Sequence, residues 1–353
     1  MTRRKYLDYL AIAATIVVVF YHAMRDAMAS SGNPRQQLFI GIFQSLLQYG
    51  VPLFFMASGA KLLNPKNSND LKAFLKKRVL RIGVPFLTWN FITYVGVSLF
   101  LPSYYGNSGV NGRGMFTGMS FGVIDFFNRL LTNRVMSVYW YIYVLIGLYL
   151  LVPILSSFFT RENMKLIQYT FAISLIFVSV LPLIYQLIGV TNPFPVELGI
   201  YSQYFILGWL LDRLEFKRTT KIVLVVSGII VLVWSVFYNY GIEHSTGIFP
   251  SDGPFIQLNF LPSVIVSSML FILLRQLNNI ETSQKFDIAA QTGAILTFGV
   301  YLSHRLVMGV IGKILPSTEL FVTMALIPSV TILLSFAMIY IVSKTPFIKK
   351  IFL

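Results

Sequence analysis

The chain has 353 residues, 56% of them hydrophobic and only 12% charged, with mean hydropathy +0.72 and formal net charge +15. Soluble domains carry about twice that share of charge, so the sequence reads as a polytopic integral membrane protein. It has no cysteine and three histidines, which excludes disulfides, thiol nucleophiles and thiolate metal sites; no HExxH or carboxylate cluster points to a metal.

The apolar runs are too long and continuous for barrel strands, so the expected class is all-α. Ten spans are expected, near residues 6–28, 38–62, 82–102, 137–159, 165–187, 199–212, 221–241, 255–275, 289–312 and 320–343. The first run, YLDYLAIAATIVVVFYHAMRDAM, exceeds the roughly 20 residues a bilayer requires and is too long for a cleavable leader. Pro52, Pro153, Pro182, Pro262 and Pro328 interrupt spans or their ends, which neighbouring helices can accommodate.

Lys and Arg set the orientation. With the N-terminus inside, about 21 of the 28 basic residues face the cytoplasm and about 7 face outward. Both termini are then cytoplasmic. The positive charge reflects this bias and attraction to anionic headgroups, not a nucleic-acid footprint. The outer loops are longer: 103–136 ends in an apolar stretch, 121–131, with Asp125 and Arg129 four apart, the pattern of an interfacial amphipathic helix. Loop 241–254 holds Glu243, His244 and Asp252. No internal repeat is visible. The expected organisation is one transmembrane domain over 1–353 with no separate soluble domain.

His22 lies about 16 residues, roughly 24 Å, into the first inward-to-outward span. An ionisable group at that depth is a functional hypothesis by default, beside the plain reading of a histidine facing interfacial water. Asp26 follows one turn later. His304 lies at a similar depth in the ninth span, with Tyr301 a turn before it and Arg305 after it. Trp140 opens the fourth span in the run Tyr139, Trp140, Tyr141, Tyr143. Imidazoles suit proton transfer near neutral pH and aromatic rings suit sugar faces; the tyrosines equally fit an interfacial aromatic belt. On the inner side, Lys72, Lys76, Lys77, Arg78 and Arg81 flank the third span. In a regular helix Arg78 and Arg81 share a face, suited to phosphate; the same cluster also reads as a positive-inside anchor. Ser58 lies in MASGA rather than GxSxG and reads as helix packing.

Several stretches together resemble the integral-membrane acyltransferase-3 family: LDYLAIAATIVVVFYH, VPLFFMASGAKLL, KKRVLRIGVPF, YWYIYVLIGLYLLVPIL, YFILGWLL and FGVYLSHRLV, in the family's order over essentially the whole chain. The resemblance implies a ten-helix O-acyltransferase of a bacterial plasma membrane. It would take an acyl group, usually acetyl, from cytoplasmic acyl-CoA and pass it to a hydroxyl of an extracytoplasmic glycan or lipid-linked acceptor. It implies a catalytic role for His22 and donor binding by Arg78 and Arg81, with Lys77 beside them. His304, Arg305 or Tyr301 would orient the acceptor or stabilise the oxyanion, Asp26 would hold the His22 tautomer, and Trp140, Tyr139 and Tyr301 would line the acceptor site. No metal is implied.

One position departs from the family pattern. An Arg is usual eleven residues before the histidine; here that position is Ala11. This leaves three readings open: another basic group serves, the chain is a divergent or engineered member, or its activity is impaired. Two readings from other classes also remain at this point, a transporter or flippase for a lipid-linked glycan and an inactive membrane partner.

Overall fold

A bilayer core offers no water to backbone N–H and C=O groups, so apolar runs of this length close their hydrogen bonds internally as helices. The computed structural model describes residues 4–100, 122–190, 199–246, 257–317 and 319–353, with backbone alone at 239–246 and 347. Every span-length element among them is helical. Nine helical stretches among the described residues are long and apolar enough to cross a membrane. The expected sixth span is also a helix, Ile200–Arg213, but has only 14 residues, so an architecture of roughly ten spans stands.

In chain order the helices are α1 (Tyr6–Ser30), α2 (Pro34–Leu47), α3 (Gly50–Leu62), α4 (Leu71–Arg78), α5 (Val84–Phe100), α6 (Val123–Leu131), α7 (Trp140–Phe158), α8 (Met164–Leu175), α9 (Leu181–Leu187), α10 (Ile200–Arg213), α11 (Arg218–Thr246), α12 (Leu261–Gln276), α13 (Gln284–Ile314), α14 (Ile327–Ser343) and α15 (Pro346–Phe352). The second span is two helices, α2 and α3, parted at Gln48 and Tyr49. The third begins earlier than its apolar run: α4 continues through a π turn, Val79–Gly83, into α5. Further π turns lie at Ile176–Val180 and Val322–Leu326. The Gly-rich loop stretch 101–121 and Asp252 lie outside the described residues, and Glu243 and His244 fall where only backbone is described.

The chain forms two compact units, each from two stretches: 1–71 with 148–294, and 72–147 with 295–353. In the first, α3 and α10 pack backbone to backbone. A methyl group on Gly59 would lie 1.8 Å from the Phe205 carbonyl oxygen, and one on Gly208 would lie 2.0 Å from that of Met56. Such small-residue contacts replace the hydrophobic driving force that lipid removes. One end of this unit is tied by charge. Asp212, at the end of α10, accepts from Arg4, Tyr6 and Arg213. Arg275 reaches the carbonyls of Leu211 and Leu214, both at 2.7 Å, and Glu215 at 3.1 Å. Arg275 thus caps the end of α10, and Arg4 and Arg213 pair with Asp212 there.

In the second unit, Asp125 of α6 accepts from Arg129 and from Tyr94 of α5, both at 2.8 Å. The amphipathic helix expected near 121–131 is thus pinned to the third span. The tail also folds back. Trp89 of α5 meets the Phe352 ring edge-on at 5.6 Å and donates to the Phe352 carbonyl at 3.3 Å.

Candidate functional site

The candidate residues divide between the two units. His22 and Asp26 belong to the first; Lys77, Arg78, Arg81, Tyr139, Trp140, Tyr301, His304 and Arg305 belong to the second.

α1 stays helical through Ser30, so Asp26 follows His22 by one turn on the same face. His22 is half-buried and Asp26 exposed. Three turns below His22 on that face lies Ala11, 7% exposed, its carbonyl accepting from Thr15 Oγ at 2.8 Å. The position where an Arg was expected is thus a small, packed core residue.

The second unit brings the aromatic candidates together. Tyr139 donates to the Leu302 carbonyl at 2.6 Å and receives Thr93 Oγ at 2.8 Å, while Tyr301 donates to the Val138 carbonyl. Tyr301 also meets Tyr141 edge-on at 5.3 Å. Both tyrosine hydroxyls therefore contact backbone in the interior, which makes these residues the frame around His304. Trp140, half-buried at the start of α7, packs against Tyr141 at 6.5 Å. His304 is fully buried, and its Nδ1 lies 2.5 Å from the Tyr301 carbonyl. A carbonyl only accepts, so Nδ1 carries the proton and Nε2 is the basic ring nitrogen. Arg305 is half-buried and directs Nη1 to Met308 Sδ at 3.4 Å.

The basic cluster is less regular than its spacing predicts. The π turn begins immediately after Arg78 and contains Arg81. Its i→i+5 bonding turns less per residue than an α-helix, which separates residues three apart around the axis. Arg78 is half-buried, with its guanidinium 5.0 Å from the Phe74 ring centroid, whereas Arg81 and Lys77 are exposed. Among the described residues no group of three or more His, Cys, Asp or Glu could hold a metal.

A family model described as an acyltransferase domain, Acyl_transf_3, matches residues 4–344. The chain belongs to the acyltransferase-3 family. The match runs from the start of α1, through the basic cluster, to the end of α14. No curated protein and no solved structure matches the chain. Membership supports a membrane acyltransferase over the carrier reading.

Within this acyltransferase-3 chain, two buried polar residues escaped the sequence reading. Asn90 and Thr93 of α5 are both fully buried, Asn90 donating to the Phe86 carbonyl at 2.8 Å. The available signal was a pair of polar residues one turn apart inside FLTWNFITYV. Ser58 accepts from Tyr149 at 3.3 Å, consistent with its packing assignment.

Proposed function

We propose that this acyltransferase-3 protein moves an acyl group, acetyl in the simplest case, from cytoplasmic acyl-CoA to a hydroxyl on an extracytoplasmic cell-surface glycan or lipid-linked acceptor. The observation that carries the reading is the family match over nearly the whole chain. The placement of a histidine deep in α1 supports it.

In this reading neutral His22 takes the acceptor hydroxyl proton as that oxygen attacks the thioester carbonyl. The carbon–oxygen bond forms, the carbon–sulfur bond breaks, and the departing thiolate is protonated to free CoA. Asp26 holds the His22 tautomer. Arg78 and Arg81, with Lys77, hold donor phosphates. His304 and Arg305, framed by Tyr139 and Tyr301, orient the acceptor or stabilise the oxyanion, and Trp140 stacks on the acceptor. No metal takes part.

The test is thiol release from acetyl-CoA by the purified full-length protein in lipid, with and without a hydroxyl-bearing oligosaccharide. The reading predicts release that the acceptor accelerates. Release no faster than the protein-free blank contradicts it.

A further inference from the structure

The second unit contains an apolar groove that the chemistry above does not use. It lies between α5 and the later part of α13, encloses about 350 Å³, and is lined by Phe91, Val95, Leu99 and Phe100 on one side and Leu306 and Val310 on the other. Phe91, Leu99 and Phe100 are each more than half exposed, at 56%, 66% and 56%, so the groove opens away from the packed interior. Its floor is Gly96, where an added methyl would come within 3.0 Å of Leu306. Glycine therefore keeps the groove open.

Its length and depth suit one lipid chain. From Phe91 to Phe100 α5 rises about 14 Å, close to one leaflet of a hydrocarbon core roughly 30 Å thick. The positive-inside bias places Phe100, at the far end of this inward-to-outward span, on the outer side.

A cation stands at that outer end. Lys313 lies seven residues after Leu306 and three after Val310, on the same face of α13. Its Nζ donates to the carbonyl of Phe100, the last residue of α5, at 2.9 Å. The lysine is exposed, and among the described residues it has no carboxylate partner. One bond to a neutral carbonyl uses one of three ammonium donors and none of its charge. The stretch that follows Phe100, 101–121, contains no Asp or Glu and one Arg, so its composition adds no compensating anion.

We infer that this groove is a binding site for an outer-leaflet phospholipid of net negative charge, its chain lying between α5 and α13 and its headgroup phosphate on Lys313. The site is independent of the proposed reaction. Leu306 lies two residues from His304, about 200° around the helix, so groove and imidazole occupy different faces of α13.

The experiment uses the full-length protein in bilayers doped with phosphatidylglycerol or phosphatidylcholine bearing the same photoreactive acyl chain, followed by peptide mapping. Phosphatidylglycerol should label peptides covering 91–100 and 306–310 about fivefold more than phosphatidylcholine, the preference one interfacial lysine provides. Lys313→Gln should abolish that preference and Lys313→Arg should keep it. Gly96→Phe should lower labelling by both lipids. Equal labelling of the native protein by the two lipids, labelling elsewhere on the chain, or an unchanged preference in Lys313→Gln would overturn the assignment. Lys313 is exposed, so its variants test the headgroup contact without disturbing the core.

Discussion

Tyr139 and Tyr301 clamp their helices reciprocally: Tyr139 donates to the carbonyl of Leu302, next to Tyr301, and Tyr301 donates to the carbonyl of Val138, next to Tyr139. Each phenol thus satisfies a backbone acceptor beside the other residue. His304 is hydrogen-bonded to the Tyr301 carbonyl, so the clamp sets where the imidazole sits.

Removing either hydroxyl should be felt in stability before chemistry. Tyr139→Phe removes the acceptor of the Thr93 hydroxyl and the second donor to the Leu302 carbonyl, which keeps its intrahelical bond, whereas Tyr301→Phe removes one donor to the Val138 carbonyl. A buried group left without its partner costs about 1–3 kcal/mol, so Tyr139→Phe should melt lower than Tyr301→Phe. The double variant should lose less than the sum, because the clamp acts as a unit. Thermal unfolding in detergent measures all three.

The α3–α10 contact makes a sharper stability prediction. Gly59→Ala and Gly208→Ala push a methyl against backbone, which cannot yield as a side-chain tip can. Each should cost about 3 kcal/mol or more and reduce the monodisperse fraction on size-exclusion chromatography. Gly147→Ala and Gly312→Ala, which meet nothing within 4 Å, should elute like the native protein.

Ala11 packs as a small residue of the first unit's core. Ala11→Arg would force a guanidinium into a packed site 7% exposed, five residues into α1, where a buried charge without a partner is destabilising. The variant should insert and fold in lower yield, with turnover per folded molecule no higher than native. A gain in turnover would show that the position awaits its arginine.

The π turn gives the basic cluster separable parts. Arg78→Ala and Arg81→Ala should each raise KM for acyl-CoA about tenfold or more, as loss of a charge-assisted hydrogen bond predicts. Phe74→Leu should raise it about two- to fivefold through lost cation–π support of Arg78. That effect should persist in the Arg81→Ala background and vanish in Arg78→Ala, a pattern that steady-state kinetics on the three backgrounds with and without Phe74→Leu resolves.

What the sequence made legible was the part controlled by lipid. The first span was expected at 6–28 and is Tyr6–Ser30; the fourth was expected at 137–159 and is Ser137–Phe158. Apolar length decides such elements, because hydrocarbon admits only helices and closed barrels and runs this long exceed a barrel strand. The π turn at Val79–Gly83 left no composition signal, since its apolar residues fit an α-helix equally well. The return of α15 onto Trp89 was also hidden: the tail PFIKKIF reads as a basic cytoplasmic end, and its docking depends on a partner more than 260 positions away. For the candidate site, Tyr139, Tyr301 and His304 were legible as neighbours in depth. Their use of backbone carbonyls was not, because carbonyl positions depend on helix packing rather than residue type.

The central claim is that His22 is the general base of an acyl transfer. Its most direct test compares acceptor-dependent thiol release from acetyl-CoA by native protein and His22→Ala, matched for folded protein in the same lipid. Loss of a general base predicts a fall of about 10²–10⁴-fold in turnover, with thermal stability close to native because His22 is only half-buried. Turnover unchanged in His22→Ala would contradict the assignment.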